Sequence, residues 1–296
     1  MPEGRVTRAY AGHYYVDLQG TTLDCAARGR LRKEGKEVLV GDIVSINVTG
    51  PGSGVIEDVL PRRSRLVRPP VANVDQAVIV MACADPEPDL ELLDRMLVVV
   101  ASAGLESVIC FNKMDLVSDY ASRKLTRPYR RAGYVVVRAS ARAGWGLGLL
   151  RRALAGKISV FSGPSGVGKS ALLNALEPGL RLRCGEVSAR TGRGRHTTRY
   201  SVLLEVGPGG YVADTPGFSR LDLDITGLRR DGLDDFFPEL AARRDGCRFA
   251  GCLHHKEPRC AVKAAVEAGE VSSSRYEHYV KFLEEIIEAE REGKRW

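Results

Sequence analysis

The sequence predicts an α/β fold: a mainly parallel sheet flanked by an N-terminal β-barrel and a short, mainly helical C-terminal domain. Three observations predict it. The first ~65 residues read as short strands separated by glycines. From Val74 onward, apolar strand runs alternate with helical patterns. From Phe236 the chain is rich in Cys and His and finishes in an amphipathic helix.

In the first part, Val6–Leu18, Thr21–Ala27, Glu37–Val48 and Gly54–Leu60 alternate or are β-branched, with no long helical period. A barrel of about five strands fits, and an OB-fold is the favoured version. Pro61-Arg62-Arg63-Ser64-Arg65 and Arg68-Pro69-Pro70 read as a basic linker, because proline breaks both helix and ladder.

In the second part, Val74–Ala84 is the continuous apolar run of a strand buried on both faces. Leu90–Ala103 carries Leu90, Leu93, Met96, Leu97 and Val100 at helical spacing. Ser107–Phe111, Tyr134–Arg138 and Lys157–Phe161 are further strands. Lys169–Leu176 is a helix, and Tyr200–Val206 with Tyr211–Asp214 forms a hairpin over Gly207-Pro208-Gly209-Gly210. In the third part, Tyr276, Tyr279, Val280, Leu283, Ile286 and Ile287 form one stripe on the helix Ser273–Glu292. The expected domains are 1–68, 69–235 and 236–296.

With 44% hydrophobic and 27% charged residues, the chain can bury a core, and a wholly disordered protein is excluded. No apolar run reaches the ~20 residues of a membrane helix. The N-terminus has no signal-peptide core, so a cytosolic location is expected. Seven cysteines without a secretory signal point to metal ligands rather than disulfides. Cys83 and Cys110 sit in apolar strands and read as core residues.

Gly163-Pro164-Ser165-Gly166-Val167-Gly168-Lys169-Ser170 matches G-x-x-x-x-G-K-[ST] between a predicted strand and a predicted helix. Such a loop aims several backbone N–H groups at phosphate oxygens. Lys169 would reach the β- and γ-phosphates, and Ser170 would ligate Mg²⁺. Asp214-Thr215-Pro216-Gly217 ends a strand. Asp214 suits the Mg²⁺ shell and Gly217 the γ-phosphate. A bare Pro-Gly turn is the bland reading, which the upstream loop disfavours.

Asn112-Lys113-Met114-Asp115 follows the strand Ser107–Phe111. Asp115 can accept from guanine N1–H and the 2-amino group, which adenine does not offer. A buried carboxylate left unpaired costs a few kcal/mol, so guanine is preferred. Lys113 would lie along the base, and Ser140-Ala141 would supply a backbone N–H for guanine O6. In an ordinary GTPase the phosphate loop comes first and the guanine motifs last; here the order is reversed. All can still converge at the carboxyl ends of one parallel sheet, so the domain is read as circularly permuted.

Between these motifs lies Gly192-Arg193-Gly194-Arg195-His196-Thr197-Thr198-Arg199. Thr198 is favoured over Thr197 as the residue that caps Mg²⁺ and the γ-phosphate. Phe218 stands where related enzymes carry a water-positioning Gln, which leaves His196 as the nearest polar candidate. The competing reading of His196 is a loop histidine facing RNA phosphate or solvent. Cys247, Cys252 and Cys260 with one histidine make a closed tetrahedral Zn²⁺ site of the structural kind. Spacing alone leaves His254 and His255 both open.

The chain carries 44 Lys+Arg against 37 Asp+Glu, a net +7. Arg181, Arg183, Arg190, Arg193, Arg195 and Arg199 face a single acid, Glu186, within residues 181–200, and further cations lie in the linker and the cysteine-rich region. Clustered charge of this kind suits a phosphate backbone.

The motif order, the G-R-H-T-T segment, D-T-P-G-F and C-x4-C-x-H-x5-C together resemble the circularly permuted RsgA/YjeQ GTPases over nearly the whole chain. The resemblance implies a circularly permuted P-loop GTPase domain between an OB-fold and a zinc-binding domain. It implies GTP hydrolysis to GDP and phosphate, stimulated by the 30S ribosomal subunit late in its maturation, with hydrolysis driving release. It selects Cys247, Cys252, His254 and Cys260 for zinc, and His196 for catalysis beside Lys169 and Thr198. The expected cofactors are GTP/GDP, Mg²⁺ on Ser170, Thr198 and Asp214, and one structural Zn²⁺. The expected partners are the 30S subunit and 16S rRNA, with no DNA and no membrane, for a monomer in the cytoplasm. Two rival classes are a zinc and OB-fold RNA-binding module with a vestigial GTPase, and a P-loop kinase or ATPase. Intact Lys169, Ser170, Asp214 and Asp115 disfavour the first; Asn112–Asp115 disfavours the second.

Overall fold

A computed structural model describes residues 1–66, 70–180, 202–214 and 224–293; for Leu180 and Asp214 only the backbone is described. The chain divides into two compact units. One comprises Met1–Val78, Leu147–Ser165 and the described part of Lys169–Ser219. The other comprises Ile79–Gly146, Gly166–Gly168 and the described part of Arg220–Trp296.

The first unit opens with a barrel: β1 (Glu3–Tyr10), β2 (His13–Leu18), β3 (Thr21–Ala27), helix α1 (Gly29–Lys33), β4 (Ile43–Gly50) and β5 (Ser53–Val59). The strands run β1-β2-β3-β5-β4, β3 and β5 are parallel, and a β1–β4 pairing closes the ring. Closure removes the exposed edges, and Val6, Val16, Cys25, Val44, Ile46 and Ile56 fill the interior with no exposure. The expected strand Val6–Leu18 is two strands, because Ala11 and Gly12 take φ of 47° and 87° in a tight turn. Alanine is a weak turn signal, so the break is not visible in the pattern. Similarly, Glu37–Val48 becomes a strand only from Ile43. Buried Asp42 accepts the Leu39 N–H at 2.7 Å and holds the preceding residues in a turn.

A short ribbon, β6 (Arg65–Leu66) and β7 (Val71–Ala72), follows the barrel. The next strand, β8 (Gln76–Ala82), is buried throughout, as its apolar run Ala77–Ala82 requires. In the first unit Gln76 donates to Ser159 Oγ at 2.9 Å, beside β11 (Ile158–Ser162). In the second unit come α2 (Leu90–Ser102), β9 (Glu106–Asn112), α3 (Asp119–Arg131) and β10 (Val135–Arg138), with β9 and β10 parallel. The first unit then adds α4 (Leu147–Leu154), α5 (Lys169–Leu176), β12 (Val202–Glu205) and β13 (Tyr211–Asp214). Strands β11 and β13 are parallel, and β12–β13 is the expected hairpin. Strand alternation with helices thus gives the predicted α/β arrangement.

The second unit ends with α6 (Pro238–Ala241), α7 (Ala261–Glu267) and α8 (Ser273–Arg291). Tyr279, Phe282, Leu283 and Ile286 of α8 are buried against Leu233, Phe237 and Val262. Helix α8 is also held to α2. The buried Arg275 guanidinium reaches Asp94 on α2 and Glu239 on α6, and lies 5.1–5.3 Å from the ring centres of Tyr129, Tyr134 and Phe237. Arg95 grips Glu285 with two hydrogen bonds of 2.7 and 2.6 Å. Among the described residues, no helix is long and apolar enough to cross a membrane. Cys83 and Cys110 are buried as expected, and burial pushes the Cys110 thiol up to about 12.

Candidate nucleotide site and metal centre

Strand β11 ends at Ser162, and the chain turns through Gly163, Gly166 and Gly168, all at positive φ, before α5 begins at Lys169. A Cβ on Gly168 would meet Asn112 Nδ2 at 2.4 Å, so only glycine lets the loop approach that side chain. Lys169 is 7% exposed, and its ammonium donates to the Gly163 and Pro164 carbonyls at 2.6 and 2.7 Å. Burial pulls its pKa down to about 8. The lysine is thus folded over the loop it serves, with a cost to its charge that phosphate would relieve. Ser170 is buried at the first turn of the same helix.

Asn112, the last residue of β9, is buried and double-ended. Its Nδ2 donates to the Val167 carbonyl at 2.8 Å, and its Oδ1 accepts from the Ala141 N–H at 3.1 Å. One side chain therefore ties the phosphate loop to the Ser140-Ala141 turn. Lys113 stands at φ 62° and donates to the Asp85 carbonyl. Asp115 accepts from Ser140 Oγ at 2.5 Å, and that bond, ahead of all else, holds its carboxyl below the usual range. Ser140 Oγ also accepts the Ala143 N–H at 3.0 Å, and the Ser140 N–H donates to the Trp145 carbonyl. Gly146 closes this turn where a Cβ would lie 2.0 Å from the Arg138 carbonyl. The Ala141 N–H expected to face guanine O6 is already shared with Asn112. Base recognition there would be bifurcated.

Asp214 ends β13, next to β11 in parallel register, at the carboxyl end of both strands. His196, Thr197, Thr198, Gly217 and Phe218 lie outside the described residues, as do Cys184, Arg68 and the arginines of 181–200.

Cys247, Cys252, His254 and Cys260 come together, with their ligand atoms within 4.8 Å of one another. The Cys247–Cys260 sulfur separation is 3.8 Å, and His254 Nδ1 lies 3.5 and 3.4 Å from those sulfurs. A zinc tetrahedron with bonds near 2.3 Å to sulfur and 2.0 Å to nitrogen has edges of about 3.8 and about 3.5 Å. The donor set and its spacing therefore fit zinc. His254, not His255, joins the three cysteines in the cluster; His255 instead faces Glu284 at 3.3 Å. The far nitrogen, His254 Nε2, is buried 3.6 Å from Asp234 Oδ2, and neither atom completes a hydrogen bond elsewhere. Metal on Nδ1 puts the proton on Nε2, aimed at Asp234, the outer carboxylate that orients a ligating histidine. Asp234 was not legible from sequence; an Asp thirteen residues before the first cysteine carries no spacing signal.

The basic linker, read as clustered free charge suited to a phosphate backbone, is largely neutralised where it is described. Arg62 forms two bonds of 2.7 and 2.9 Å with buried Asp42, Arg63 pairs with Asp75 at 2.9 Å, and Arg65 with Glu37 at 3.2 Å. The neutralising acids come from other segments, which a local charge count misses.

Two family models match consecutive parts of the chain: the RsgA N-terminal domain over residues 3–56 and the RsgA GTPase over residues 59–224. The chain is 52% identical over 290 residues to a small ribosomal subunit biogenesis GTPase RsgA of Moorella thermoacetica, covering 98% of this chain and 99% of that one. It is 47% identical to the protein so named in a Geobacillus species, at 97% and 98% coverage. Among solved structures it is similar to YjeQ from Thermotoga maritima, at TM-score 0.82, 39% identity and coverage of 97% and 98%. It is also similar to YloQ, described as a circularly permuted GTPase, at TM-score 0.81, 38% identity and coverage of 97% and 96%.

Proposed function

The chain belongs to the RsgA GTPase family, and from that premise we propose how its residues divide the work on the small ribosomal subunit. It is a GTP hydrolase and a ribosome-assembly factor. The observation that carries the nucleotide reading is the double hydrogen bond of Asn112, which gathers the phosphate loop and the base-recognition turn.

In this reading Asp115 accepts from guanine N1–H and the 2-amino group. Lys113 lies along the base, and Ser140-Ala141 faces O6. Residues Gly163–Ser170 cradle the phosphates, and Lys169 exchanges two loop carbonyls for β- and γ-phosphate oxygens. Ser170, Thr198 and Asp214 would hold Mg²⁺, which neutralises charge that builds on the phosphates. His196 orients the attacking water, and Gly217 and Thr198 sense the γ-phosphate. Cys247, Cys252, His254 and Cys260 would hold one Zn²⁺, which cross-links the loop residues at the edge of the apolar cluster around Phe237 and Tyr279.

The full assignment is that a cytoplasmic monomer binds the 30S subunit and 16S rRNA late in maturation. The subunit stimulates hydrolysis, and loss of the γ-phosphate releases the protein. The division 1–68, 69–235 and 236–296 supplies RNA contact, switch and RNA contact in turn. GTP turnover with 30S, with 50S and with neither subunit tests this. Stimulation by 30S alone is expected. Equal rates in all three, or equal 30S affinity of the GTP- and GDP-bound forms, would contradict it.

A further inference from the structure

Helix α3 and the segment from Val266 to Ser273 enclose a groove of about 740 Å³. Arg123, Lys124, Arg127, Arg131 and Arg243 line it. The two acids in the lining are already engaged: Glu239 with the buried Arg275, and Glu270 with Arg243 at 3.3 Å. Arg131 donates only to the neutral Gly269 carbonyl, at 3.3 Å. Arg123 pairs with Asp119 on its own helix at 2.6 Å, whereas Lys124 and Arg127 have no acidic partner among the described residues. The linker residues Arg62, Arg63 and Arg65, by contrast, are paired off. This groove therefore holds positive charge that the fold itself leaves unneutralised.

The arrangement along α3 is ordered. Arg123, Arg127 and Arg131 recur every four residues, about 6 Å apart along the axis. That step is comparable with the distance between successive phosphates on one strand. At the mouth of the groove stands Tyr120, 78% exposed, one turn before Arg123 and Lys124. A ring exposed beside a cationic track is a common platform for an unpaired base.

We infer that this groove binds a single-stranded RNA segment, its phosphates along the Arg123–Arg127–Arg131 row and one base stacked on Tyr120. The inference takes from the proposed function only that the partner contains RNA. No residue of the nucleotide site or the metal centre is involved.

The test uses the full chain, a fluorescein-labelled unstructured RNA dodecamer read by anisotropy across a salt series, and 30S subunits read by co-sedimentation. The double variant Lys124→Ala/Arg127→Ala should lower RNA affinity about tenfold or more and reduce the salt slope by about 1.4, two phosphates at ~0.7 each. Tyr120→Ala should weaken RNA binding by about fivefold or more and leave the salt slope unchanged. All three positions are exposed, so melting temperature and unstimulated GTP turnover should match the parent. Unchanged RNA affinity and slope in the double variant would overturn the inference. So would a loss of 30S binding with RNA affinity intact, which would make the occupant a ribosomal protein. If the parent chain fails to bind 30S, the proposed function fails, while the RNA titration still decides the groove.

Discussion

The side-chain amide of Asn112 donates to the carbonyl of Val167, 55 residues later, at 2.8 Å. In this permuted chain the bond joins the end of β9 to the tip of the phosphate loop. Both partners are buried, and the other end of the same side chain receives the Ala141 N–H. Replacing Asn112 by Ala orphans the buried Val167 carbonyl, at about 1–3 kcal/mol, and also frees the half-buried Ala141 N–H. GTP affinity in a fluorescent-nucleotide titration should fall at least about tenfold. Asn112→Asp should do no better, since a carboxylate would face the Val167 carbonyl without a donor.

Asp115 is oriented by Ser140 Oγ at 2.5 Å. Asp115→Asn swaps an acceptor for a donor where the guanine 2-amino group would lie. Preference should move from GTP to XTP on the order of 100-fold in competition binding. Ser140→Ala should keep the preference for guanine yet weaken it severalfold, because the carboxylate loses its orienting bond. Unaltered specificity in Asp115→Asn would remove the residue from base recognition.

What could be read in advance follows from where the signal resides. The phosphate loop, Asn112–Asp115 and the Cys/His cluster are short local patterns whose residue types the chemistry dictates; Asn112 meets the loop at Val167, and the three cysteines gather around His254. Helix α3 escaped notice for a physical reason. Its buried face is Ser122, Thr126 and Tyr129, so there is no hydrophobic period, and Pro128 lies inside it. Ser118, which accepts the Ala121 N–H, starts the helix instead. A local charge count therefore misses the five cations of α3 and overstates the linker, where Asp42, Asp75 and Glu37 pair with Arg62, Arg63 and Arg65. Phe282, fully buried on α8, fell outside the expected stripe because that stripe is wider than one row.

Burial brings the Lys169 pKa down to about 8, from an ordinary value near 10.5. Phosphate binding requires the protonated amine. Below pH 8 the nucleotide-free protein already carries that proton; above it, binding must take one up. GTP affinity should therefore be flat from about pH 7 to 7.5 and fall toward a tenfold loss per pH unit above about pH 8.5. Proton uptake, measured by calorimetry in buffers of different ionisation enthalpy, should appear over the same window. A flat profile to pH 9.5 would show that the loop keeps its lysine charged.

The sulfur–sulfur and sulfur–nitrogen separations at Cys247, Cys260 and His254 match a zinc tetrahedron. The purified chain should contain one zinc per molecule by elemental analysis. Cys260→Ser should lose it and expose the surrounding apolar cluster to dye binding. Asp234→Asn keeps all four ligands but weakens the partner of His254 Nε2. Zinc affinity in a chelator competition should fall by about 10–100-fold. Full retention in Asp234→Asn would make Asp234 a partner of Arg244 alone, which lies 3.1 Å away.

Arg275 is 1% exposed and faces two carboxylates, Asp94 and Glu239, that are equally buried. His278 adds a second contact to Asp94 at 2.6 Å. Three aromatic rings surround the guanidinium, so water cannot replace a missing partner. Arg275→Met fills the volume but leaves two buried acids without a counter-charge, which should cost about 3–5 kcal/mol. Arg275→Lys keeps one charge, yet a single ammonium cannot meet both carboxylates with the guanidinium's fork, and should recover only part of the loss. The triple change Arg275→Met/Asp94→Leu/Glu239→Gln removes charges from both sides and should be more stable than Arg275→Met alone. Urea unfolding monitored by far-UV circular dichroism orders the variants. The sign of the comparison between the triple and the single variant is decisive: if the triple variant is the less stable, the two orphaned acids carry no buried-charge penalty in Arg275→Met.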